Sequence, residues 1–303
     1  MHSDPNLVDT DGDGYDDSVD AHPKIKDRIT YSLGHSESID ASDFFDNGIG
    51  YIHVIGSDGD LYYGGNQAWF NDIQEWGCGI IAANDVGLYV NNGEADYSFT
   101  EYNNSVNRCL NNVYSIPFTH SMVPIVDAVV VERILSDRGI TADLTFIYDY
   151  NSEDVLDRII TSIKDDKPVI MLEADLFNMM LDEVGSYDLL NGLINGLFRL
   201  IDTSFSIMPH DSEDQETEDE QQIEIKPGVS MYEGDKNNCE IETDPCNKMS
   251  WHYVTITGVY INNNTNKIYL RIQSWGKMLY IDYDEFVDYN DSVFRQGGLF
   301  FID

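Results

Sequence analysis

WHYVTITGVYINNNTNKIYLRIQSWG, residues 251–276, decides the fold. In "HYVTITGVYI" the alternation puts His252, Val254, Ile256 and Gly258 on one face of a strand. "NNNTN" is a turn signal, and "KIYLRIQSW" is a second strand, so the two pair as antiparallel neighbours. Downstream, "KMLYIDY" and "GGLFFID" finish the chain as strands; upstream, "KPVIMLEA" is a buried strand. Earlier still the period becomes helical. Residues 78–91 read as a helix with Ile80, Ile81 and Leu88 as its apolar face. "MVPIVDAVVVERILSDRG" is a helix closed by Gly139, and a polar stretch, 92–120, leads into it. "ITADLTFIYDY" is a strand, and "NSEDVLDRIITSIKDD" is a helix capped by Asn151 or Ser152, with acids in its first turn. "YIHVIGSDGDLYYGG" is strand, turn, strand. A helical half followed by a β-rich half makes an α+β fold.

The chain has 303 residues, enough for one large domain or two smaller ones, and 42% of them are hydrophobic. Acidic residues outnumber basic ones 55 to 17, a net charge of −38. Such a surface argues against nucleic acid and anionic lipid as partners, since both need a positive field, and suits calcium or cationic substrates. No apolar run reaches the ~20 residues of a membrane span. The start, "MHSDPNLVDTDGDG", has no basic-then-apolar pattern, so the expectation is an intracellular protein or a chain that begins after a removed signal. "LFNMMLDEVGSYDLLNGLINGLFRLIDTSF", from Leu176, has apolar residues at helical spacing and reads as packing helices or a lid, and 210–222 reads as a solvated acidic loop.

Residues 1–28 are acidic and without apolar periodicity. Within them, "DTDGDGYDDSVD" places Asp9, Asp11, Asp13, Asp17 and Asp20 at positions 1, 3, 5, 9 and 12 of a loop, Gly14 at the sharp turn, and the Tyr15 carbonyl at position 7. Ca²⁺ takes six to eight hard oxygens, and this spacing wraps them around one point. Pro5 and Pro23 bracket the loop and no long helix precedes it. The segment resembles a single thrombospondin type 3 calcium repeat over about residues 4–24. That resemblance implies structural Ca²⁺ and an extracellular or cell-surface setting.

Four cysteines do not make a disulfide framework at this length. Cys239 and Cys246 can pair across a local loop, and Cys109 reads as a half-buried thiol. Cys78 differs. It stands where a loop becomes a helix, and a helix N-terminus stabilises a thiolate. Gly77 and Gly79 let backbone N–H groups approach an oxyanion. A nucleophilic thiol needs a base, and His252 would ride on a rigid strand. Gln273, on the next strand, could bring an amide oxygen beside the imidazole to hold its tautomer.

"GCGIIAAN", "WHYVTITGVY" and "LRIQSWG", in that order, resemble papain-fold cysteine peptidases, and in particular the bacterial branch related to bacteriocin-processing peptidases. "KPVIMLEA" and "IDYDEF" fit the same branch. The resemblance covers about 60–303, with a helical and acidic insertion at about 176–248. It implies a peptidase domain over 29–303, Cys78 as nucleophile, His252 as base, and Gln273 where the family has Asn or Asp, with Ser274 as a poorer substitute. Trp275 would shield the pair from water. The family also has a Gln before the Cys that serves the oxyanion. Its usual spacing lands on Asp72, which Gln67 and Gln74 flank. Gln67, in "GGNQAWF", is preferred, with a bulge at 70–76 absorbing the extra residues, and Gln74 is the alternative. The implied activity is hydrolysis of peptide or protein substrates. Two other functions compete: a cell-wall amidopeptidase or acyltransferase using the same site, and a calcium-dependent adhesion module on an inactive peptidase fold.

Overall fold

The computed structural model describes residues 7–11, 16–18, 27–46, 48–74, 77–113, 124–146, 152–173, 228–249, 252–290 and 297–303. All of them fall in one compact unit made of residues 1–174 and 228–303. The segment from Leu176 and the acidic loop 210–222 lie outside the described residues.

In chain order the strands are β1 (Arg28–Ser32), β2 (His53–Ile55), β3 (Leu61–Tyr63), β4 (Asp96–Ser98), β5 (Ala142–Phe146), β6 (Val169–Glu173), β7 (Val229–Tyr232), β8 (Gly234–Asp235), β9 (Glu240–Ile241), β10 (Asn247–Met249), β11 (His252–Asn262), β12 (Lys267–Ser274), β13 (Lys277–Asp282) and β14 (Gly298–Ile302). The helices are α1 (Ala41–Phe44), α2 (Cys78–Asn92), α3 (Phe99–Val113), α4 (Pro124–Asp137), α5 (Ser152–Lys164) and α6 (Tyr283–Asn290). The fold is mixed α+β, with mostly antiparallel sheets. A nine-stranded sheet runs β10-β7-β13-β12-β11-β6-β14-β5, with β1 added beside β11. A smaller sheet, β3-β2-β4, stands apart from it, and there β2 and β4 run parallel.

The long strand β11 is the spine. Its first half pairs with β6 from His252 opposite Glu173, and its second half pairs with β1 from Gly258 opposite Ser32. Between Ile256 and Gly258 the register against β12 shifts by one residue. The expected alternation therefore holds for His252, Val254 and Ile256 but breaks at Gly258. Only glycine fits there: a Cβ on Gly258 would stand 2.7 Å from the Tyr31 carbonyl oxygen and 2.8 Å from the Phe44 ring. The turn into β12 is built by Asn262, whose Oδ1 accepts from the N–H groups of Asn264 at 3.0 Å and Thr265 at 3.1 Å.

Helix α2 is buried on all sides from Gly79 to Tyr89, beyond the single apolar face expected of it. It packs against α3, α4 and β11. Each fully buried Ile or Val contributes roughly 1.5–3 kcal/mol. Small residues make the close packing possible: a Cβ on Gly87 would meet the Arg138 side chain at 2.2 Å. Helix α3 falls within the stretch read as polar. Its buried stripe, Tyr102, Val106, Cys109 and Leu110, has helical spacing but is diluted by five asparagines. The α4 terminus follows expectation: Gly139 has φ +75° and the Ile140 N–H returns to the Leu135 carbonyl at 3.0 Å. Part of the expected insertion at about 176–248 joins the main sheet through β7 and β10, because β7 pairs with β13 and β10 pairs with β7, while, among the described residues, β8 and β9 pair only with each other. Cys239 and Cys246 are free thiols, and Cys109 is fully buried, more so than expected.

Candidate active site

Cys78 is the first residue of α2 and half-buried. The chain enters the helix through successive turns: the Ile73 N–H donates to the Phe70 carbonyl at 3.0 Å and the Gly77 N–H to the Ile73 carbonyl at 2.7 Å. Buried Ile73 pins this loop, and a Cβ on Gly77 would meet it at 2.6 Å. The expected bulge at 70–76 thus takes the form of turns over 70–74; residues 75 and 76 lie outside the described residues. The N-terminal N–H groups of α2 have no partner within the helix itself, by its geometry.

His252 opens β11 and is 6% exposed. Its Nε2 lies 2.8 Å from Ser274 Oγ. Trp275 stacks on the ring, centroids 4.6 Å apart and planes 20° off parallel. Burial lowers the imidazole pKa to about 4, so the ring is neutral at neutral pH. Trp275 is held in the left-handed region, with φ +50°, and Gly276 follows at φ +75°. Two such residues make the tight β12–β13 turn. A non-glycine residue there carries strain of order 1 kcal/mol, which the ring stack offsets. The end of β11 that carries His252 packs on the start of α2: a Cβ on Gly79 would lie 3.2 Å from the Tyr253 ring. The immediate neighbours of Cys78 and His252 are thus in contact.

Gln273 does not sit beside the imidazole as expected. Its Nε2 donates to the Gly65 carbonyl at 2.7 Å, and Ser274 takes the imidazole. The reason is strand alternation. Gln273 pairs opposite Thr255, whereas His252 and Ser274 lie on the other face. Gln273 instead belongs to a second buried polar cluster. Asp85 Oδ2 accepts the Gly65 N–H at 2.7 Å, and Asp85 Oδ1 accepts the Tyr102 hydroxyl. Asp85 is fully buried; desolvation raises its pKa to about 6, against the lowering effect of the Tyr102 and Gly65 bonds. Sequence reasoning passes over Asp85 and Gly65, although a buried-helix Asp and a Gly-Gly pair are visible signals.

Gln67 opens a short 3₁₀ turn, Gln67–Trp69, that Asn66 caps. Its Nε2 donates to the Gln74 carbonyl at 2.8 Å, so the two candidate glutamines are brought together. The side chain of Gln74 is exposed, as is Asp72. Asn66 Nδ2 donates to the Trp275 carbonyl at 3.0 Å, tying this loop to the residue that covers His252.

In the N-terminal segment, Asp17 accepts from the Thr10 N–H at 2.8 Å and the Thr10 hydroxyl at 2.7 Å. Asp13, Tyr15 and Asp20 lie outside the described residues; Asp9 and Asp11 are described. Among the described residues, no group of three or more His, Cys, Asp or Glu is placed to hold a metal ion, and no helix is long and apolar enough to cross a membrane.

No family model matches the chain, and neither a curated protein nor a solved structure matches it.

Proposed function

We propose that the chain is a papain-like thiol peptidase. Supporting this most directly is the buried imidazole of His252, bonded to Ser274 and roofed by Trp275, on a strand packed against the helix that begins with Cys78. With Nε2–H donating to Ser274 Oγ, Nδ1 carries the lone pair of a general base. The Cys78 thiol gives its proton to that nitrogen, and its sulfur attacks the scissile carbonyl. The oxyanion is held by N–H groups at the start of α2 and by the Gln67 amide. The imidazolium protonates the leaving amine, and water then hydrolyses the thioester. The neutral state of His252 supports a proton transfer during attack, without a standing ion pair.

The same low pKa favours one alternative, an inactive binding module on this fold. Labelled casein hydrolysis separates the two. Wild type cleaves it, and Cys78→Ala and His252→Ala each lower the rate by about a thousandfold or more with folding intact by circular dichroism. Full activity in Cys78→Ala overturns the peptidase reading. Iodoacetamide at neutral pH gives a second arm, with Cys78 labelled first. Burial raises the pKa of Cys109, Cys239 and Cys246 alike.

The N-terminal loop is read as a structural calcium site of an extracellular or surface protein, with Asp9, Asp11, Asp13, Asp17, Asp20 and the Tyr15 carbonyl as ligands. Its spacing supports that reading. Calorimetry with calcium should give a Kd of about 10⁻⁴–10⁻³ M, and no heat at millimolar metal overturns it.

A further inference from the structure

Four consecutive residues, Tyr63 to Asn66, are stitched to the two elements that carry the proposed chemistry. The Tyr63 N–H donates to the Gly276 carbonyl at 2.9 Å, and Asn66 Nδ2 donates to the Trp275 carbonyl at 3.0 Å. Between them, both backbone groups of Gly65 are held by side chains. Asp85, from the helix of the nucleophile, accepts its N–H at 2.7 Å, and Gln273, beside the residue that holds the imidazole, donates to its carbonyl at 2.7 Å. The approach is so close that no other residue fits. A Cβ on Gly64 would stand 2.6 Å from Gln273 and 2.9 Å from Asp85, and one on Gly65 would stand 1.7 Å from the Tyr102 hydroxyl. Asp85 and Gln273 are both buried, so neither bond competes with water. Gln67 stands two residues beyond Gly65, at the start of a 3₁₀ turn closed by the Phe70 N–H on its carbonyl at 3.0 Å, and its side-chain amide donates across the following loop to the Gln74 carbonyl.

We infer that Asp85 and Gln273 are positioning residues: by clamping the Gly65 peptide from both sides they set where the Gln67 amide meets the oxyanion. The inference rests on the peptidase reading, and it assigns Gln273 a task other than orienting the imidazole. The loop has no regular ladder to hold it, and an oxyanion donor misplaced by about 1 Å loses much of its effect.

The test uses two reagents that differ in one respect. In acylation by p-nitrophenyl acetate, the Cys78 sulfur bonds to the acetyl carbon through an oxyanion, and p-nitrophenolate leaves with the ester's electron pair. In alkylation by iodoacetamide, sulfur displaces iodide directly and no oxyanion forms. Acylation is read as p-nitrophenolate release above a Cys78→Ala background, and alkylation as mass added at Cys78. Asp85→Ala and Gln273→Leu should each slow acylation by about 10–100-fold and leave alkylation within about threefold of wild type. Asp85→Asn, which keeps an acceptor for the Gly65 N–H, should recover most of the loss. In a Gln67→Ala background, Gln273→Leu should cost less than about threefold further, because the two changes remove one function. The inference is overturned if alkylation falls in step with acylation, or if the losses from Gln67→Ala and Gln273→Leu multiply. Should Asp85→Ala fail to fold, Gln273→Leu carries the same comparison. Wild type that alkylates at Cys78 but releases no p-nitrophenolate above background overturns the peptidase reading itself, and the inference with it.

Discussion

Two buried polar clusters meet at adjacent residues of one strand, and they are built in opposite ways. The imidazole cluster is local: Ser274 and Trp275 come from one hairpin end, and His252 comes from the strand beside it. The carboxylate cluster is assembled from afar. Asp85 lies on α2, Tyr102 on α3, Gly65 in the loop after β3, and Gln273 on β12. The first holds a base neutral by burying it with a single hydroxyl. The second satisfies a buried carboxylate with several donors, and so ties four elements together. On the peptidase reading proposed above, one cluster presents a reactive group and the other fixes the frame around it.

If the two clusters divide their tasks in this way, damage to the frame costs more stability than damage to the imidazole's surroundings. Gly65→Ala should be the most severe change. Its Cβ would stand 1.7 Å from the Tyr102 hydroxyl, so the loop must move and both Gly65 bonds with it. The expected loss is about 3–5 kcal/mol by urea denaturation; a loss below 1 kcal/mol would show that the clamp is slack.

The pH dependence of stability is the next sharpest probe, because the clusters pull in opposite directions. His252 titrates at about 4 in the folded chain against an ordinary 6.5, so between those values the unfolded chain binds a proton that the folded one refuses. Its contribution to stability therefore rises with pH through that window. Asp85 titrates at about 6 against 3.8, so between those values the folded chain keeps a proton that the unfolded one has released, and its contribution falls as pH rises. In wild type the two nearly cancel. Asp85→Asn removes one arm, and its stability should climb from pH 4 to 6.5 by roughly 3 kcal/mol more than that of wild type. Parallel pH curves for the two proteins would refute the opposition.

Smaller effects are expected at the imidazole. Ser274→Ala leaves a buried ring nitrogen without its partner and should cost about 1–2 kcal/mol, with altered imidazole shifts in NMR. Trp275→Gly relieves the left-handed strain while opening the ring to water. Stability should change by less than about 1 kcal/mol, while the His252 pKa climbs from about 4 toward 6.5 in an NMR titration. An unmoved pKa would mean that the Trp275 ring is not what keeps water from the imidazole.

Much of the frame is legible in the sequence. The helix beginning at Cys78, the hairpin at 53–63, and the strands at 169–173, 252–262 and 267–274 follow from period and turn chemistry. Helix α3 escapes because its buried hydrophobic residues are scattered among asparagines, so that composition masks the period. The pairing of Gln67 with the Gln74 carbonyl is equally hidden, since no pattern in "GGNQAWFNDIQ" marks a loop that folds back on itself.

The sequence by itself determined that His252 and Val254 share a face and that Gln273 and Ser274 cannot, because side chains alternate along any strand. It also set the order in which Cys78, His252 and the Trp275–Gly276 turn follow one another. Only the tertiary structure decided which neighbour meets the imidazole. That choice depends on the register of Thr255 opposite Gln273, and on Asp85 and Tyr102 arriving from two helices to fill the other face. Register and the docking of distant helices are set by packing across the whole core, and no local run of residues encodes them.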